Sequence, residues 1–183
     1  MAGSSGMNTD AVRGTAWFAR AEREEYQGEA GAERPLGDYL VIMAVYGGLV
    51  GVLGAAARLS HREIPERIEP WDLLVMSLAT HKLSRIIAKD KVTSPLRAPF
   101  TTYQGRSADK EVREQPRGSG MRKTVGELLG CPFCLGMWVA TGLSAGLVFA
   151  PRFTRLAAST LTVLAGSDFL QYGYAAMQQN AQS

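Results

Sequence analysis

Charge and apolarity are segregated along this chain in blocks. Tyr39 to Ala57 reads YLVIMAVYGGLVGVLGAAA and Leu128 to Pro151 reads LLGCPFCLGMWVATGLSAGLVFAP, neither with a charged side chain. Each approaches or exceeds the roughly 20 residues that carry a helix across a bilayer. Two further stretches, Leu73 to Ala88 and Leu156 to Met177, have helical length but are interrupted by ionisable groups: His81, Lys82 and Arg85 in the first, Asp168 in the second. The segments 19–38 and 89–123 hold dense charge. Such blocks predict an all-α polytopic membrane protein with three or four transmembrane helices and a long polar cytoplasmic loop.

The same pattern divides the chain. Residues 1–38, rich in Gly, Ala and mixed charge, read as a mobile N-terminal tail, with a nascent helix over Thr15 to Tyr26. Residues 39–57 form the first transmembrane helix, and a polar connector with Pro65 and Pro70 follows. Residues 71–177 form a helical membrane domain whose polar loop covers 89–126. In Leu73 to Ala88 the cations are expected to snorkel or to face protein, with Trp71 at the opposite interface. Leu156 to Met177 is expected to span fully. Pro95, Pro99, Pro116 and three glycines argue against one long helix in the loop. A hairpin around Tyr103 to Arg113 and plain disorder are the two readings left for it.

Charge then fixes orientation. Between Lys89 and Lys123 nine basic residues face four acidic ones, which assigns this loop to the cytoplasm and with it both termini. The first apolar run begins only at Tyr39, without a basic segment before it, so no cleaved signal is expected. The mean hydropathy of -0.05 averages over the blocks and hides them. The net charge of +3 is read as topology: no basic cluster is interleaved with aromatics, so nucleic acid is not an expected partner.

Packing candidates come from small residues. Gly47, Gly51 and Ala55 recur every fourth residue, a stripe on which another helix approaches closely. Packing within the chain is expected ahead of dimerisation. Gly136 and Trp138 join the helix-packing candidates.

The only two cysteines, Cys131 and Cys134, form a Cys-x-x-Cys pair at the mouth of the second uncharged run. Pro132 suits the first turn of a helix, and free N–H groups at a helix start stabilise a thiolate. Packing, thiol redox chemistry and metal binding are all open for the pair. A glutaredoxin needs an alternating strand and helix pattern that is missing here. A zinc site at Cys131 and Cys134 wants four ligands, which two subunits together would supply. His81, Lys82, Arg85 and Asp168 are the intramembrane polar candidates, with a contact from Asp168 to His81 or Arg85 as one arrangement. No phosphate loop, catalytic triad or paired-carboxylate pattern is present, and no catalytic residue or resident cofactor is expected.

Two stretches carry a family resemblance. LATHKLSRIIAKDKVTSPLR, Leu78 to Arg97, and GELLGCPFCLGMWVA, Gly126 to Ala140, with its Cys-x-x-Cys-x-Gly-x-Trp pattern, together resemble the bacterial integral-membrane family of unknown function DUF1360 over Trp71 to Met177. His81 and Lys82 stand where the family carries an aromatic and an Arg. The resemblance implies a polytopic protein of the bacterial cytoplasmic membrane, with some relatives linked to sporulation, and brings no catalytic residues. The expected role is a non-enzymatic component that sits in the lipid bilayer and packs with or recruits a protein partner or a second copy. A membrane thiol or zinc module built on the CPFC pair is the first alternative, and a small transporter or channel the second.

Overall fold

The computed structural model describes residues 36–62, 65, 67–107 and 111–182. The tail expected over residues 1–38, with its helix at Thr15 to Tyr26, lies outside them except for 36–38, which open the first helix. Helix α1 covers Leu36–Leu59, three residues earlier and two later than the uncharged run. Its opening, through Ala44, belongs to one compact unit, and Val45 onward to a second. In the first unit Leu40, Val41 and Met43 are exposed.

The second unit holds every other element. Helix α2 is Pro70–Lys89, a single turn α3 is Ser94–Arg97, strands β1 and β2 are Thr101–Arg106 and Val112–Pro116, and helices α4, α5 and α6 are Gly120–Gly130, Pro132–Phe149 and Pro151–Gln182. Proline opens α2, α5 and α6, where a missing N–H leaves no bond unmade. Helices α1 and α5 are long and apolar enough to cross a membrane.

The fold is mostly helical, and the all-α expectation is corrected by the antiparallel β1–β2 hairpin inside the polar loop. Thr101, Thr102, Tyr103 and Val112 favour extended backbone, and Gly105, at φ 133°, supplies the conformation for the register shift between Tyr103 and Gly105. The hairpin reading of Tyr103 to Arg113 therefore holds.

Helices α2, α5 and α6 pack on one another through small side chains. Of the seven buried apolar residues among those described, five are alanines: Ala57, Ala79, Ala88, Ala158 and Ala165. Ala158, Thr162 and Ala165 follow one face of α6, and the Thr162 hydroxyl lies 3.0 Å from the Val75 carbonyl of α2 and 2.9 Å from the Ala158 carbonyl of its own helix, with one proton between them. Where α5 turns into α6, a Cβ built on Gly146 would lie 2.5 Å from Thr154 Oγ1. The large apolar side chains point outward instead, among them Val52, Trp71, Phe133, Phe153, Val163 and Leu170. A water-soluble domain buries such residues. In lipid, small residues at helix contacts and large ones outside are the expected arrangement.

Candidate functional site

The polar loop is anchored by one guanidinium. Arg97, at the end of α3, has no exposed surface, and Glu114 on β2 is 7% exposed. Arg97 Nε donates to Glu114 Oε2 at 2.8 Å and Nη2 to Glu114 Oε1 at 3.1 Å. Nη2 also donates to the Asp90 carbonyl at 2.9 Å, and Nη1 to Thr93 Oγ1 at 2.7 Å and to the Ile87 carbonyl. One planar fork thus ties the end of α2 to the hairpin. Thr101 Oγ1 and Ser94 Oγ complete the carboxylate's shell, at 2.9 and 3.2 Å. Burial pushes the Glu114 carboxyl up, but the Arg97 bonds and charge and the two hydroxyls outweigh it and hold the group below the usual glutamate range. Gly126 of α4 permits the hairpin to dock, since a Cβ there would lie 2.5 Å from the Phe100 carbonyl oxygen.

Two more ion pairs start on α2. Lys82 of α2 pairs with Asp168 of α6, and Arg85 pairs with Glu111 beside β2. Asp168 therefore meets Lys82, where the sequence suggested His81 or Arg85. Lys82 is spoken for by α6 and Arg85 by the loop, so both face protein. At the other end of these parallel helices Asp72 pairs with Arg155 at 2.8 Å. Ten residues of α2 separate Asp72 from Lys82, which at 1.5 Å per residue is about 15 Å. Thirteen residues of α6 separate Arg155 from Asp168, about 20 Å. That band falls short of a hydrocarbon core of about 30 Å.

Two of the cavities along α2 share His81 and Arg85. One of about 320 Å³, between α2, α6 and the loop, is lined by His81, Lys82, Arg85, Glu111, Asp168 and Tyr172. The other, about 500 Å³ between α2 and α5, is lined mainly by apolar groups such as Leu73, Met76, Phe133 and Ala140, with His81 and Arg85 also on its wall. Gly136 borders this second cavity, and a Cβ there meets nothing within 4 Å.

Helix α5 begins at the cysteine pair. Cys131 caps it from outside, with its Sγ accepting from the Cys134 N–H at 3.2 Å, and Pro132 takes the first helical position. Cys134 Sγ lies 2.7 Å from Cys131 Sγ, and both cysteines are free. Burial pushes the Cys131 thiol up, but hydrogen bonds from the Cys134 thiol and from the N–H groups of Cys134 and Phe133, with help from the Lys89 charge, hold it below the ordinary thiol value. Among the described residues no three His, Cys, Asp or Glu side chains cluster closely enough to hold a metal ion. A zinc site at this pair would draw its remaining ligands from beyond them.

The packing candidates separate. Gly47, Gly51 and Ala55 are exposed, and a Cβ on either glycine meets nothing within 4 Å. The stripe that packs within the chain is on α6. Trp138 meets Tyr46 edge to face, with centroids 5.2 Å apart at 73°. Thr141 spends its proton on the Met137 carbonyl, so the Tyr46 hydroxyl is the donor in their 2.8 Å bond. The indole Nε1 of Trp138 is buried and has no hydrogen-bond acceptor among the described residues. Sequence reasoning missed Arg97, Glu114 and the Asp72–Arg155 pair. The repeat of small residues at Ala158, Thr162 and Ala165 was a readable signal; the Arg97 cage had none, because Arg97 and Glu114 lie 17 residues apart with no spacing that names them as partners.

Among characterised sequences, the chain is 34% identical over 71 residues to Sporulation protein YjcA of Bacillus subtilis (strain 168), covering 37% of this chain and 60% of that protein. It is 29% identical over 87 residues to UPF0713 protein YngL of the same strain, covering 48% of this chain and 65% of that protein. The matched part thus spans less than two thirds of either relative. No solved structure matches. The family described as Protein of unknown function (DUF1360) matches residues 75–174, which hold the Lys82–Asp168 and Arg85–Glu111 pairs, the Arg97 cage and the CPFC turn, and the chain belongs to that family.

Proposed function

We propose that this protein is a multi-pass component of the bacterial cytoplasmic membrane that packs with a protein partner or a second copy of itself, with no chemistry of its own required for that role. In this reading α1 and α5 span the bilayer. Helices α2 and α6 complete the bundle as spans whose uncharged band between ion pairs is shorter than the hydrocarbon core, so that the Lys82–Asp168 pair sits within the hydrocarbon zone, and the hairpin, the CPFC turn and both termini face the cytoplasm. The observation that carries it is the open face of α1: Gly47, Gly51 and Ala55 are exposed, between exposed Val45, Leu49, Val50 and Val52. In lipid there is no hydrophobic drive between helices, so a glycine stripe gains by close backbone approach and is left unused in this chain alone. The sporulation name of one relative points to the sporulating cell as the place to look for the partner.

The test is crosslinking in native membranes followed by sizing in mild detergent, with wild type beside Gly47→Leu and Gly51→Leu. A Cβ on either glycine meets nothing within 4 Å among the described residues, so both variants are expected to fold. The expected result is a species larger than the 19.7 kDa chain that is lost in both variants. A wild-type monomer in native membranes, or a complex indifferent to both substitutions, rejects the role.

A further inference from the structure

The CPFC turn is not used by the packing role. A structural cysteine is normally enclosed by apolar neighbours and inert. Here Cys134 is exposed, Cys131 is part-exposed, and Phe133 between them is 92% exposed. The two sulfurs lie 2.7 Å apart, roughly 0.7 Å longer than a disulfide bond. Closing that bond asks for a small side-chain movement on the first turn of α5. The two cysteines also differ in role: Cys131 is the acceptor of the Cys134 thiol and N–H, and Cys134 is the donor.

We propose that Cys131 and Cys134 form a thiol–disulfide exchange site, with Cys131 as the attacking sulfur and Cys134 as the resolving one, acting on an accessible disulfide of a protein or a small thiol. The Cys131 thiolate attacks one sulfur of the substrate disulfide. A Cys131–substrate bond forms, and the substrate's other sulfur leaves as a thiolate that takes a proton from water. Cys134 then gives its proton to solvent, and its sulfur attacks Cys131 Sγ. The Cys131–Cys134 bond forms and the second substrate sulfur leaves. The substrate disulfide gains two electrons and the cysteine pair loses two. The hydrogen bonds that hold the Cys131 thiol below its ordinary value favour that sulfur as the attacking thiolate. This chemistry is independent of the α1 face, so either proposal stands if the other fails.

The experiment uses the full chain in detergent with glutathione disulfide as the probe, comparing wild type, Cys131→Ser and Cys134→Ser. Ser at 131 remains a good helix cap and Ser at 134 replaces an exposed thiol, so both variants keep their fold. Wild type is expected to release two glutathiones per chain and end with an internal disulfide. Cys134→Ser is expected to stop at a stable mixed disulfide, and Cys131→Ser to react at least tenfold more slowly at pH 7. Equal rates for the two single variants would overturn the assignment, as would a mixed disulfide that persists in wild type. Thiols that stay unreactive until a chelator removes zinc would replace exchange with metal binding.

Discussion

Arg97→Ala removes the buried guanidinium that ties the end of α2 to the hairpin, and the cost follows from what it leaves behind. Glu114 stays 7% exposed with two hydroxyl donors and no counter-charge, and the carbonyls of Ile87 and Asp90 each lose a donor. Breaking a buried pair from one side costs about 3–5 kcal/mol. At about 1.4 kcal/mol per decade, hairpin opening becomes at least roughly a hundredfold more frequent. Hydrogen exchange reads this locally at the Ser107 amide, bonded to the Glu111 carbonyl at 3.0 Å, and at the Arg117 amide, bonded to the Phe100 carbonyl at 2.8 Å. The core of α5 should be unaffected. Arg97→Lys keeps the charge but cannot span the carboxylate and two carbonyls, so it should fall between wild type and Ala. Arg97→Met with Glu114→Met leaves neither charge buried and should lose less than the sum of the single changes, by about 0.5–3 kcal/mol. If Arg97→Ala changes exchange at both amides by less than about fivefold, the cage does not hold the loop.

Glu114 gives the same cage a pH dependence. Its carboxyl sits below the unfolded value of about 4.3, so its stabilisation is complete above that pH and is lost as pH falls through the lower folded value. Hairpin amide shifts should hold from pH 7 to 5 and move below 4, and Glu114→Gln should flatten the acid step. Gly146→Ala drives a methyl against Thr154 Oγ1 and should cost about 1–3 kcal/mol in thermal stability, with the cost largely gone in a Thr154→Ala background. Lys82→Met and Asp168→Leu should each lower the yield of folded protein, and the double variant should recover much of it, because each single change breaks the pair from one side and the double change removes both charges. Additive losses would show that the pair is not coupled.

The blocks of charge made most of the helices legible, because length and apolarity are local properties. The uncharged runs located helices α1 and α5 without giving their ends, and Pro132 suited the first turn of α5. The charged positions on α2 and α6 were legible as positions and not as partners. A carboxylate at 168 and an ammonium at 82 are 86 residues apart in sequence, and only the helix register of the fold decides that Lys82, and not Arg85 one turn on, meets Asp168. The Arg97 cage was hidden for the same reason. The glycine stripe on α1 was legible as a face and not as a contact: spacing identifies a face fit for close packing and does not say what covers it.

The account stands most directly on membrane topology. In a chain carrying Cys131→Ser and Cys134→Ser, single cysteines at Ser60, after α1, and at Ser107, in the hairpin turn, would be probed with a membrane-impermeant maleimide on intact and permeabilised cells. Both positions are exposed. The expected result is labelling at position 60 in intact cells and at position 107 only after permeabilisation. Labelling of both positions from the same side, or recovery of the chain from membranes by alkaline carbonate, would contradict the account.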